Sequence, residues 1–212
     1  MPKPKTTPAR ELGPVSGRRS VVMRSLAGVL VVLLSSASTT MAGDLEKGVA
    51  AYNRWDSATA WRVLQSLAER GDAGAQALLG NMYARGLGVT YDGTKAVRWW
   101  RKAAEQGNAS AQEELGVAYF WGNGIGQDHS EAAKWFRKAA EQGAIFAQLS
   151  LASLYERGEG VPQDFALAHV WLNLAAGQGQ PAAKTELGRL ASKMTSGQIA
   201  EAQRLAGGWK PK

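Results

Sequence analysis

Residues 111–146 read AQEELGVAYFWGNGIGQDHSEAAKWFRKAAEQGAIF, and the same pattern stands on both sides of them without a gap. Residues 75–110 read AQALLGNMYARGLGVTYDGTKAVRWWRKAAEQGNAS, and residues 147–182 read AQLSLASLYERGEGVPQDFALAHVWLNLAAGQGQPA. A fixed period of this length marks a repeat array, in which no single unit buries its apolar face alone and stacking completes the core.

Within each unit the spacing predicts two helices. Ala75, Leu79 and Tyr83 fall at i, i+4 and i+8, and Ala111, Leu115, Tyr119 and Ala147, Leu151, Tyr155 repeat them, giving one apolar stripe per first helix. Gly80 and Gly116 lie beside that stripe, where a missing side chain lets two helices approach closely. Gly86/Gly88, Gly122/Gly124 and Gly158/Gly160 then break the helix, since glycine enters positive φ without steric cost. Val89, Ile125 and Val161 are expected to fasten each loop to the core. Asp92, Asp128 and Asp164 are placed to accept the free N–H groups of a second helix, Asp128 and Glu131 in a capping-box pattern. That helix carries Ala96, Trp99, Trp100, Ala103 and Ala104, repeated as Ala132, Trp135, Phe136, Ala139 and Ala140. Large aromatics alternating with alanine suit close-packed helices. Gly107, Gly143 and Gly179 end it.

These blocks resemble Sel1-like repeats, relatives of the tetratricopeptide repeat, on the motif A-x-x-x-L-G-x-x-Y-x-x-G-x-G-V-x-x-D-x-x-x-A-x-x-W-x-x-x-A-A-x-x-G. The third block departs most, with Ala152 for the glycine and Asn173-Leu174 for Arg-Lys. The expected fold is an all-α, right-handed α-solenoid of stacked antiparallel helix pairs. The expected organisation is an N-terminal segment over 1–42, a tetratricopeptide-like helix pair over 43–74, repeats over 75–110, 111–146 and 147–182, and capping helices over 183–212. In the last of these, Thr195-x-x-Gln198 opens a closing helix.

The net charge of +7 invites a nucleic-acid reading, but its location argues otherwise. Residues 1–42 carry six basic residues and one acid, leaving 19 basic and 17 acidic residues for 43–212. The body is nearly neutral, has no basic stripe to follow a phosphate backbone, and no nucleic-acid partner is expected. The absence of cysteine excludes disulfides, thiolate metal sites and thiol nucleophiles.

The N-terminal segment reads as an address. Arg18, Arg19 and Arg24 precede the apolar run Leu26–Leu34, and small residues follow to Thr40-Met41-Ala42, as in a signal peptide cleaved after Ala42. Nine apolar residues are too few to span a bilayer as helix. Residues 1–22, rich in Pro, Lys and Thr, are expected to be disordered, and Met23 is an alternative start. The Arg18-Arg19 pair leaves both a general secretory and a twin-arginine route open. The expected location is periplasmic or secreted, with no membrane-spanning segment in the mature chain.

No catalytic motif is present: there is no GxSxG elbow, HExxH, P-loop or EF-hand loop. Gly122-Asn-Gly-Ile-Gly126 aligns with Gly86-Leu-Gly-Val and Gly158-Glu-Gly-Val and is therefore the interhelix loop. His129 and His169 occupy non-equivalent positions and form no shared metal site. Glu69, Glu105 and Glu141, spaced by 36, make a solvated row along one edge. Trp99, Trp135 and Trp171 hold a repeated core position, with Trp100 beside the first. No cofactor, metal or catalytic residue is assigned.

Binding is expected on the first helices, which line the concave side of such stacks. Opposite their apolar stripe stand Ala77, Asn81, Ala84 and Arg85, then Glu113, Val117, Phe120 and Trp121, then Leu149, Ser153, Glu156 and Arg157. Phe120 and Trp121 stand where the neighbouring repeats carry Ala84-Arg85 and Glu156-Arg157. Aromatics flanked by arginines suit an interface hot spot; Phe120 alternatively packs beneath the glycine loop. The candidate protein-binding set is Asn81, Arg85, Glu113, Val117, Phe120, Trp121, Ser153 and Arg157. The family resemblance implies an interaction scaffold or envelope regulator that binds a partner protein. A glycan or peptidoglycan binder is the second reading. A hydrolase akin to Sel1-like β-lactamases is the third, weakened because those relatives carry cysteines in each repeat.

Overall fold

The structure is a computed structural model that describes residues 43–208. The expected signal segment and its cleavage site lie outside the described residues. Helical residues 43–53 (α1) are followed by α2 (Ser57–Glu69), α3 (Ala73–Arg85), α4 (Gly93–Glu105), α5 (Ala109–Trp121), α6 (His129–Glu141), α7 (Ile145–Arg157), α8 (Phe165–Gly177), α9 (Pro181–Ala191) and α10 (Ser196–Gly208). No strand occurs among the described residues. From α2 to α9 each helix packs on the next, and α10 turns back onto α8. Each repeat is thus a helix pair, α3–α4, α5–α6 and α7–α8, and each pair leans on its neighbour.

The pairs are held by a bulky side chain seated on a small one. A Cβ at Gly80 would lie 2.5 Å from the Trp100 ring, and one at Gly116 would lie 2.7 Å from the ring of Phe136. The glycines therefore admit an aromatic ring of the partner helix rather than its backbone, a refinement of the expected close approach. In the third repeat the small member has grown to Ala152 and the large one has shrunk to Leu172, both buried. Interior packing leaves no slack for changing one partner alone.

Helix ends follow the expected chemistry. Asp92, Asp128 and Asp164 cap α4, α6 and α8 by accepting backbone N–H groups of the first turn. The capping box at α6 is only half formed: the Glu131 carboxylate accepts from Lys134 Nζ at 2.6 Å, while the Asp128 N–H donates to the Tyr119 carbonyl. At α10 the box is reciprocal, the Thr195 N–H donating to Gln198 Oε1 and the Gln198 N–H donating to Thr195 Oγ1. In the loops, Gly88, Gly124 and Gly160 lie against the backbone of Ser57, Gly93 and His129, where a Cβ would clash. Each glycine loop therefore rests on the first turn of the preceding pair's second helix.

A glutamine ladder crosses the stack at the other end of the helices. Gln76, Gln112 and Gln148 are the buried polar side chains among the described residues. Each donates from Nε2 to a carbonyl closing the previous helix (Ala68, Ala104 and Ala140) at 3.0–3.1 Å. Each accepts in turn from Gln106, Gln142 or Gln178. Burial of an amide is tolerated because its donor and acceptor are both satisfied.

Gly116→Ala should lower stability by about 1–3 kcal/mol through collision with Phe136. The double variant Gly116→Ala/Phe136→Leu, which copies repeat three, should recover most of that loss. Urea unfolding of the two variants checks this, and an additive pair would sever the proposed link between the two positions.

Candidate functional site

The face formed by α3, α5, α7 and α9 changes character along its length. Between α3 and α5 it is small and mixed in polarity: a cavity of about 210 Å³ is lined by Ala84, Trp100, Glu114, Val117 and Asn123, among others. Between α5 and α7 it becomes aromatic. Val117, Phe120, Trp121, Phe136, Phe146, Leu149, Ser150 and Ser153 surround a cleft of about 280 Å³. Between α7 and α9 it is charged, a cleft of about 600 Å³ lined by Glu156, Arg157, Glu186, Arg189 and Lys193, with Leu149 and Ser153 shared with the aromatic cleft.

The aromatic cleft is built by substitutions against the repeat. Phe120, Trp121, Phe146 and Leu149 occupy positions held one period earlier by Ala84, Arg85, Ser110 and Glu113. Trp121 is 66% exposed and Phe146 is 54% exposed, facing one cleft from α5 and α7. Phe120 is partly buried and stacks on the His129 ring with centroids 4.9 Å apart. Its other neighbour is Trp121, edge to face at 4.8 Å. Phe120 therefore packs locally beside the glycine loop and also walls the cleft.

The structure brings Val117, Phe120, Trp121 and Ser153 together in the aromatic cleft and places Arg157 beside it in the charged one. Arg85 is exposed further along α3. Asn81 and Glu113 have structural tasks. Asn81 Oδ1 accepts the indole N–H of Trp100 at 2.9 Å. Glu113 accepts the Ala147 N–H at 3.2 Å and supplies an anchor for α7, whose N-cap residue Ala144 has no side-chain bond. Burial raises the pKa of both Glu113 and Glu114. Phe146 lies outside the expected set because it stands at the start of its first helix, whereas the repeat-to-repeat contrast used to choose that set lies at the helix end. The signal was present, since Ile145-Phe146 replaces Ala109-Ser110.

The charged cleft is a closed network. The Glu156 carboxylate accepts two bonds from Arg189 at 2.5 and 2.7 Å and one from Lys193 at 3.0 Å. Hydrogen bonds from Arg189 and Lys193 hold the Glu156 pKa down at about 2. Elsewhere, burial lowers the pKa of His169, and its Nδ1 has no hydrogen-bond partner. Among the described residues no three His, Asp or Glu side chains converge as a metal site, and no helix is long and apolar enough to cross a membrane.

The Sel1 repeat family model matches residues 73–108, 109–143 and 145–180. A Sel1 repeat protein from Oxalobacter formigenes is similar in structure, with a TM-score of 0.64 and 36% identity over 66% of this chain and 58% of that one. A protective antigen of uropathogenic Escherichia coli strains, displaying an SLR fold, is similar with a TM-score of 0.64 and 40% identity, over 70% of this chain and 32% of that one. The chain spans less than two thirds of the length of either. No curated protein matches it.

The Glu156 network ties α9 to α7 and should loosen in acid. With its pKa depressed in the fold, Glu156 contributes stability that is complete above the ordinary carboxylate range and is lost as pH falls from about 4.5 toward 2. Amide exchange in α9 should therefore accelerate across that window ahead of α5. Glu156→Gln should remove the pH dependence.

Proposed function

The chain belongs to the Sel1 repeat family, and from that premise we propose that it is a non-catalytic scaffold holding a partner protein on the cleft between α5 and α7. The carrying observation is the pair Trp121 and Phe146, two large apolar side chains left in solvent across one cleft. Exposed aromatics cost solubility and are typical of interface centres when a pocket lies between them. The cleft accepts one apolar side chain of a partner, and the adjoining Arg157 supplies polar contacts at its edge. The repeats supply a rigid frame, since the cleft walls are carried on helices already fixed by core packing.

The location proposed is the cell envelope or beyond it. The basic residues, the apolar run Leu26–Leu34 and the small residues ending at Ala42 support this reading. N-terminal sequencing of the mature protein tests it: a chain beginning near Gly43 supports export, and a cytosolic product retaining residues 24–42 contradicts it.

A photo-crosslinking residue at position 146 should yield discrete protein adducts in native envelopes that disappear in the Trp121→Ala background, with the melting temperature almost unchanged. The same residue at exposed position 184 is the control. Adducts that match the control would remove the α5–α7 cleft as the binding surface. Adducts to peptidoglycan in place of protein would favour the glycan reading.

A further inference from the structure

A second recess lies outside the groove just described, between Tyr83 of α3 and one face of α4. Tyr83, Lys95, Arg98, Trp99 and Lys102 surround about 210 Å³ of space. Its floor is aromatic: the Tyr83 ring meets Trp61 of α2 edge to face at 5.4 Å, and half-buried Trp99 lies beneath Lys102, whose Nζ is 4.3 Å from the ring centroid. Its rim is cationic. Lys95 Nζ lies 3.4 Å from Asp92, with the lysine side chain 53% and the aspartate 33% exposed. Arg98 has no carboxylate within ion-pair distance among the described residues, so its guanidinium fork is unclaimed.

The next repeat shows that this arrangement is not simply what the fold imposes. One period on, Lys95 becomes Glu131, Arg98 becomes Lys134, and Trp99 and Lys102 become Trp135 and Lys138. Glu131 pairs with Lys134 at 2.6 Å, the Trp135 ring is buried at 7% exposure, and Lys138 lies over it at 4.0 Å. A lysine lies over the ring in both repeats; repeat two differs in pairing its rim charges and burying its ring, where repeat one keeps a net positive rim and a half-buried ring.

We infer that the Tyr83–Lys95–Arg98–Trp99–Lys102 recess binds an acidic side chain of a peptide segment, with an adjacent apolar side chain against Trp99. An unpaired arginine fork matches a carboxylate in two parallel hydrogen bonds, and two lysines add attraction without a competing acid facing the recess other than Asp92. A nucleic acid or anionic polymer would need further cation sites at regular spacing, and the equivalent place on α6 is neutralised. The recess is separate from the α5–α7 cleft and stands or falls without it.

The test is a titration of the full chain with blocked tetraglutamate, followed by NMR at the indole N–H of Trp99, assigned by its loss in Trp99→Phe. Blocked tetraglutamine and inorganic phosphate are the comparison probes. The expected result is a saturable, salt-sensitive shift at Trp99 with tetraglutamate, little change at Trp135, and affinity about tenfold weaker in Arg98→Gln at an unchanged melting temperature. No shift at Trp99, an equal shift at Trp135, or an Arg98→Gln variant that binds as well would overturn the assignment. Phosphate reproducing the shift where tetraglutamate does not would also overturn it, leaving a free-oxyanion site. Trp121→Ala should bind tetraglutamate normally, so failure of this site and failure of the scaffold reading are told apart.

Discussion

A ring resting on an absent side chain sets the spacing of the helix pairs, and the rest of the molecule depends on that spacing. Trp100 lies where Gly80 has no Cβ, and Phe136 where Gly116 has none. Dispersion and apolar burial both favour this contact only while the two sizes remain matched. Repeat three shows the match to be the quantity that matters. Ala152 and Leu172 shift the volume from one helix to the other and remain buried.

Once the pairs are fixed, polar contacts set how one pair meets the next. The buried glutamines give a second donor to carbonyls at the ends of α2, α4 and α6, which also accept the N–H groups of Gly71, Gly107 and Gly143. Hydroxyls of Tyr119 and Tyr155 accept from Arg101 and Arg137 across the same α4–α5 and α6–α7 seams. The glycine loops rest on neighbouring backbone. Surface positions outside these contacts are free to vary, and that freedom is used differently in each repeat: aromatics at α5 and α7, charges at α7 and α9, an unpaired arginine at α4.

Much of this was legible in the sequence because period 36 exposes equivalent residues. The helix pairs, the Asp caps, the glycine loops and the apolar stripes all follow from recurrence, as does the irregularity at Phe120-Trp121. What recurrence hid were side chains reaching across the stack. Asn81 faces away from the stripe by helical phase, yet the Trp100 indole extends to meet it. Glu113 looks solvent-facing until Ala144 is seen to lack the capping group that Asp72 and Asn108 provide for α3 and α5. The tryptophan positions also divide more finely than the pattern suggested. Trp100 fills the glycine notch, whereas Trp99, one residue earlier, is half-exposed beneath Lys102.

The central claim is that the aromatics of the α5–α7 cleft are surplus to folding and retained for contact with another molecule. The most direct measurement is the urea unfolding free energy of Trp121→Arg/Phe146→Ser, which installs the residues that repeat one carries at those positions. Exposed side chains replaced by residues the same fold already accepts should change stability by less than about 1 kcal/mol. A loss of several kcal/mol would place Trp121 and Phe146 in the core and contradict the account.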